Sequence, residues 1–168
     1  LDMDVPPTLI SFAIAPVQAG NVLTPEFKAP GHPVYAIGGG PMDDYAAHRA
    51  AWESFRSLCA EGKVLAAWAV ENGAAEAVMK MSFGNGVGFA ADHEAGAPWW
   101  GPMPGMIIAE LAGEISLPCC EKIGVTTAEP TITIGGDSAS IAELLSINDG
   151  VLEAVYPTVA GEGGAVEP

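Results

Sequence analysis

Apolar residues in this chain fall into short runs separated by glycine, proline and acidic clusters, a spacing that suits a succession of strands and helices. Residues 8–17 are nearly continuous in apolar character and end at Gln18, Ala19 and Gly20. Their length and β-branched content predict a strand buried on both faces, at the middle of a covered sheet. Residues 34–37 predict a second short strand, stopped by Gly38, Gly39, Gly40 and Pro41. A carboxylate at Asp43 or Asp44 can accept the free backbone donors of a following helix and favours the positive end of its dipole. Tyr45, Trp52, Phe55 and Cys59, with His48 beside them, recur at three- and four-residue spacing to about Ala60, and Gly62 supplies a stop. The spacing predicts an amphipathic helix that lays this aromatic stripe on the sheet.

Residues 64–70 predict a third strand, and residues 73–83 a helix with Ala77, Val78 and Met81 on its buried side. A glycine-rich turn and short strand follow over residues 84–89, then an irregular loop containing His93, Pro98, Trp99, Trp100, Gly101 and Pro102. Residues 106–111 read as a strong strand and 131–134 as another, with Gly135, Gly136 and Asp137 leading into a helix over 140–145. This mixture predicts an α/β or α+β domain, a mixed sheet layered with helices. One domain over residues 1–157 is expected. The small, acidic and glycine-rich residues 158–168 read as a linker towards a missing downstream domain. The opening Leu1-Asp2-Met3-Asp4-Val5-Pro6-Pro7 likewise reads as a linker, so a fragment of a longer polypeptide is expected.

Composition narrows the function classes. Hydrophobic residues make up 49% of the 168, enough for a core despite a formal net charge of -15. Six basic residues against 21 acidic ones leave no basic patch, which argues against nucleic acid and anionic membranes as partners. The acids are scattered and read as a solvated surface. No apolar stretch reaches the roughly 18 to 20 residues of a membrane span, and no secretory leader pattern is present, so a cytoplasmic location is expected. Cys59, Cys119 and Cys120, an odd number with an adjacent pair, suit reduced thiols in the core or at the surface.

Candidate chemistry is sparse. His32, His48, His93 and the cysteines lack ligand spacings such as Cys-x-x-Cys or His-x-x-x-His, so no metal site is expected. The glycine triplet 38–40 is followed by Pro41-Met42 and by no Lys-Ser or Lys-Thr pair, which leaves it a plain turn. No Gly-x-Ser-x-Gly elbow is present, Cys59 falls on the presumed buried helix face, and Cys119-Cys120 has no base nearby in sequence. No catalytic residue is therefore assigned. The best local candidate is Trp68-Ala69-Val70-Glu71-Asn72-Gly73-Ala74, where a strand hands over to a helix whose first backbone donors could face a phosphate. Read without any family, Asn72-Gly73 simply turns the chain.

Three stretches occur in an order that resembles a known family: Thr24-Pro25-Glu26-Phe27-Lys28-Ala29-Pro30-Gly31-His32-Pro33-Val34-Tyr35, then residues 77–89 around Ser82-Phe83-Gly84-Asn85-Gly86, then Glu121-Lys122-Ile123-Gly124-Val125-Thr126-Thr127. From about Pro7 to Thr158 the chain resembles the C-terminal half-module of the aminoimidazole ribonucleotide synthetase superfamily, in the version found in long, single-chain phosphoribosylformylglycinamidine synthases. It looks like the second of the two such modules, the one before the glutaminase domain.

The resemblance implies a mixed α/β module packed on an ATP-binding module, within a ligase that takes its ammonia from glutamine. That enzyme uses ATP and magnesium to convert formylglycinamide ribonucleotide to its amidine in purine synthesis. Neighbouring ATP-binding and glutaminase domains and a nucleotide substrate would be the partners, with no cofactor held by this chain itself and no activity of the fragment alone. The family's Asp-Val-Ser-Asp-Gly-Gly turn aligns with Ala69-Val70-Glu71-Asn72-Gly73-Ala74, where both aspartates and the serine are replaced. Asn72 keeps a polar side chain there, and Asn72, Gly73, Asn85 and Gly86 are the expected ligand or domain-interface contacts. Two other readings stand beside this one: a binding or regulatory domain of the same fold with an eroded site, and the related selenophosphate synthetase or hydrogenase-maturation branch. The Thr-Pro-Glu-Phe-Lys and Ile-Gly-Val-Thr-Thr runs speak against the latter.

Overall fold

The computed structural model describes residues 9–93 and 95–157. The expected linker over 158–168 and the opening residues 1–8 lie outside the described residues. Seven strands form one sheet: β1 (Pro33–Ile37), β2 (Val64–Ala69), β3 (Gly88–Ala91), β4 (Ile107–Leu111), β5 (Cys120–Thr127), β6 (Thr131–Ile134) and β7 (Asp137–Ser140). Three α-helices accompany them among the described residues: α1 (Tyr45–Ala60), α2 (Ala74–Phe83) and α3 (Ile141–Glu153). The strand order is β2-β4-β1-β5-β3-β6-β7, antiparallel except for the parallel β3–β6 pair. The expected mixed α/β layering is the architecture of the chain.

β1 is buried at all five positions because both of its faces are covered. Tyr35 and Ile37 join the core under α1 with Ala51, Leu58, Val64 and Leu111. Val34 and Ala36, on alternate positions, join the larger core under α2 and α3 with Val78, Met81, Phe89, Ile108 and Ile123. The sheet is thus sandwiched, with α1 on one side and α2 and α3 on the other.

The helix starts follow capping chemistry. Asp44 accepts from the Ala47 N–H at 3.0 Å and Ser140 accepts from the Glu143 N–H at 3.2 Å, each offsetting one of the unpaired donors of a first turn. Gly73, at φ 120°, opens α2, and Ala77, Val78 and Met81 face the core as the spacing predicts.

Four expectations are corrected. Residues 9–17 carry no strand pairing: Leu9 is 97% and Ile14 96% exposed. A run apolar on both faces needs two covering layers and hydrogen-bonding neighbours, and the central place in this sheet is taken by β1. The stripe on α1 is rotated from the expected one. His48, Ala51 and Leu58 are buried and Phe55 and Cys59 half-buried, while Tyr45 and Trp52 face outward. Ala51 lies close against Gly38, where an added Cβ would come within 3.0 Å of the alanine Cβ. Gly135 and Gly136, at φ 61° and 93°, close a two-residue hairpin into β7 rather than leading straight into a helix. α3 then begins at Ile141 and runs to Glu153, longer than expected. Finally, β5 pairs with both β1 and β3, a strand that the polar Glu121 and Lys122 hid from the apolar pattern.

Candidate functional site

The turn after β2 holds Asn72 and Gly73 against a loop that folds over them. Val70 N–H donates to the Met106 carbonyl at 2.9 Å, and Met103 N–H donates to the Glu71 carbonyl at 3.3 Å. At the head of α2, Ala74 N–H donates to Pro98 O and Ala75 N–H to Trp99 O, both at 3.1 Å. Asn72 N–H donates to Glu76 Oε2 at 3.1 Å, so a side chain of the first turn reaches back to the residue before the cap. These donors are the groups expected to face a phosphate. They are taken by the protein itself, and the helix head is closed to an anion by backbone carbonyls. Gly73 makes the closure possible: a Cβ there would collide with the Trp99 carbonyl.

Beside this turn lies a cleft of about 390 Å³ between α2, the β6–β7 hairpin and α3, with Trp100 at its mouth. Ala75, Met79, Ile132, Ile134 and Leu144 give it apolar walls, and Asn72, Glu76, Asp137 and Ser138 a polar rim. Lys80 Nζ donates to Asn148 Oδ1 at 2.6 Å and ties α2 to α3 behind it. The rim is acidic. It suits neutral or cationic apolar groups better than a phosphate. The cleft contains no thiol and no base–nucleophile pair, and no cluster of three or more metal-ligating side chains occurs among the described residues.

Asn85 and Gly86 stand at the other end of α2. Asn85 Nδ2 donates to the Phe27 carbonyl at 2.8 Å, and Gly86 N–H donates to Ser82 O at 3.0 Å from a left-handed φ of 65°. A ten-residue helix, about 15 Å long, separates this pair from Asn72 and Gly73. The four residues therefore make two places: one at the cleft, one under the loop that carries Phe27.

That loop is anchored to the sheet by buried polar groups. Glu110 of β4 is fully buried, and its carboxylate accepts from Lys28 N–H at 2.7 Å and Ala29 N–H at 3.4 Å. His32 Nδ1 lies 2.6 Å from Glu110 Oε1. Thr126 of β5 accepts from His32 N–H at 2.9 Å through its hydroxyl and donates the same hydroxyl to Ala29 O at 2.8 Å. Lys28 and Thr24 hold the half-exposed Glu26 carboxyl down at about 2. Glu110 and Thr126 were not singled out from sequence. The available signal was one carboxylate inside an otherwise apolar strand, which needs partners once buried.

The cysteines are free and half-buried, as expected of reduced thiols. Burial, together with the Cys119 thiol at 3.8 Å, pushes Cys120 up to about 12, so neither burial nor neighbours activate it as a nucleophile.

Fold and cleft together define a mixed-sheet α/β module with an apolar, acid-rimmed cleft beside α2. Among solved structures, the fold is similar to PurL of Thermotoga maritima. In that protein's complex with FGAR the likeness has a TM-score of 0.63 at 12% identity, over 76% of this chain and 30% of that one. The complex of the same protein with ATP gives a TM-score of 0.60 at 14% identity, over 76% and 28%. The structure of PurLQS from that organism gives 0.61 at 12% identity, over 74% and 28%. The chain thus spans less than a third of the length of these solved chains, and at such identities the likeness shows the fold. No protein-family model and no curated protein matches the sequence.

Proposed function

We propose that this chain is a domain of a phosphoribosylformylglycinamidine synthase, the ligase that uses ATP, magnesium and glutamine to convert formylglycinamide ribonucleotide to formylglycinamidine ribonucleotide in purine synthesis. The observation that carries the reading is the likeness of fold to PurL chains solved with FGAR and with ATP. It is supported by the loop over Thr24 to Tyr35, one of the stretches on which the family resemblance rests, which is built into the fold through Glu110 and Thr126. In this reading the chain is the second C-terminal module of a long, single-chain, cytoplasmic enzyme, and it shapes one wall of a composite cleft. ATP, magnesium and the glutaminase chemistry belong to neighbouring domains.

Two features support dependence on neighbours. The apolar side chains of Leu9, Phe12, Ile14 and Val17 stand exposed along an extended segment and call for a cover, which an adjoining ATP-binding domain would supply. The head of α2, the place where a helix start would cradle a phosphate, is closed.

Isothermal titration of the chain with formylglycinamide ribonucleotide and with magnesium-ATP, alongside Asn72→Ala, tests the reading, together with an assay for amidine formation. The expected result is no amidine formation by the chain alone. Binding that Asn72→Ala abolishes would place a substrate contact in the α2 cleft. Amidine formation without neighbours would overturn the assignment of the chemistry to other domains. A second reading, a regulatory domain with an eroded site, is favoured by the same closed turn. An upstream ATP-binding module and a downstream glutaminase encoded in the gene would exclude it.

A further inference from the structure

Cys119 and Cys120 pack on the core under α1 with their sulfurs 3.8 Å apart. Adjacency in the chain does not by itself bring this about, because consecutive side chains of an extended strand point to opposite faces. Here a turn leads into β5. Cys120 N–H donates to the Leu117 carbonyl at 3.0 Å, with Pro118 at the turn position that its fixed φ favours. The Cys119 carbonyl accepts from Gly38 N–H at 2.9 Å, and Cys120 pairs with Ile37 of β1. Turn and sheet hold both residues and leave the sulfurs side by side. Each cysteine is half-buried, so it rests on the core and keeps part of its surface open to solvent.

This geometry separates two fates of a dithiol. A disulfide prefers Cα atoms about 4.4–6.8 Å apart, whereas neighbours across a trans peptide are held at about 3.8 Å. No cis peptide bond occurs among the described residues. Two bonds of about 2.3 Å from sulfur to one tetrahedral centre, by contrast, span about 3.8 Å between the sulfurs. The pair is set for a bridge through a single atom rather than for a direct S–S bond.

The rest of the surroundings narrows that atom. A zinc-type centre takes four ligands, and no group of three or more metal-ligating side chains occurs among the described residues. What fits two thiols and nothing more is a thiophilic centre that brings its third substituent with it, and trivalent arsenic carrying one organic group is such a centre.

We infer that Cys119 and Cys120 form a dithiol site that captures monosubstituted trivalent arsenicals, the arsenic bridging the two sulfurs. An arsenical R–As(OH)2 forms two As–S bonds and breaks its two As–O bonds, and each hydroxyl leaves as water with one thiol proton. No oxidant or reductant enters. Burial keeps Cys120 protonated and so protects it from oxidation, which proceeds through the thiolate, while the exchange at arsenic carries the proton away with the leaving hydroxyl. The site is independent of the proposed ligase function and stands or falls separately from it.

Phenylarsine oxide is the probe, and intact-mass spectrometry of the whole folded chain is the readout. One phenylarsenic per chain is expected, mapped to Cys119 and Cys120, resistant to a large excess of the monothiol glutathione and released by the dithiol 2,3-dimercaptopropanol. Cys119→Ser and Cys120→Ser should each bind at least tenfold more weakly, and Cys59→Ser should bind as the parent chain does. The parent chain unfolded in urea keeps both thiols without the turn and its anchors to β1, and should also bind at least tenfold more weakly. Mapping and glutathione competition on the parent chain decide the case even where a serine variant fails to fold. Release by glutathione, an adduct on Cys59 alone, undiminished binding by a folded Cys119→Ser or Cys120→Ser chain, or equal binding by the unfolded parent would each overturn the site.

Discussion

Two neighbouring stretches near the start of the chain invert the usual relation between hydropathy and burial. Residues 9–17 are almost wholly apolar and lie exposed, whereas Glu26, Lys28 and His32 sit in a loop fixed to the sheet. The difference lies in partners. The loop inserts Phe27, fully buried and stacked on Phe89 with ring centroids 6.4 Å apart, and closes its polar groups on Glu110 and Thr126. The earlier segment finds neither a neighbouring strand nor a covering face within the described residues. Apolar character makes burial favourable, but complementary groups decide where it happens.

That contrast can be broken most forcefully at its anchors. Phe27→Ala should cost about 3–5 kcal/mol through lost burial and the cavity left beside Phe89. Glu110→Ala should cost a similar amount, about 3–5 kcal/mol, by leaving the Lys28 and Ala29 N–H groups and the His32 ring without their acceptor. Urea denaturation of each variant measures both, and a loss under about 1 kcal/mol for Glu110→Ala would show that the loop holds without its carboxylate. Thr126→Val keeps the shape and removes the hydroxyl between His32 and Ala29, for an expected loss of about 1–3 kcal/mol. At the apolar stretch the expectation reverses. Replacing Leu9, Phe12 and Ile14 together by Ser should change stability by less than about 0.5 kcal/mol while reducing dye binding and self-association.

The smallest effect sharpens the electrostatic side of the comparison. Lys28 and Thr24 depress the half-exposed Glu26 carboxyl from 4.5 to about 2, so its contribution to stability is present above the unfolded value and is lost as pH falls through the folded one. Glu26→Gln should therefore narrow its gap to the parent chain between about pH 4.5 and 2, with a modest amplitude because solvent still reaches and screens the pair. A gap that stays constant over that window would exclude the Lys28 contact as its source.

Much of the layering was legible from periodicity. The strands at β1, β2, β4 and β6 and the helices α1 and α2 emerge from apolar spacing, caps and glycine stops. β5 was not, because its alternation is interrupted by Glu121 and Lys122 and its burial is decided by β1 and β3 on either side. β7 was not, because Asp137-Ser138-Ala139-Ser140 is an exposed edge with no apolar signal to read. The face that α1 buries includes Ala51 close against Gly38, a pairing between elements that no helical period contains. For the cleft, sequence led to the turn at Asn72 and Gly73. The carbonyls of Pro98 and Trp99 that close it come from a loop some 25 residues later, and their aim is a property of the tertiary fold.

The position of β1 in the sheet also sets a timetable. Its two neighbours, β4 and β5, come from Ile107–Leu111 and Cys120–Thr127, so Val34 to Ile37 have no strand to pair with until those segments exist. During synthesis at ~5–20 residues per second, the early strand and helices wait roughly 5–20 s with their apolar faces open before the sheet can close around them. With its central pairings this distant along the chain, refolding should be slow for the size of the molecule, and the waiting intermediate is the species that a chaperone would meet.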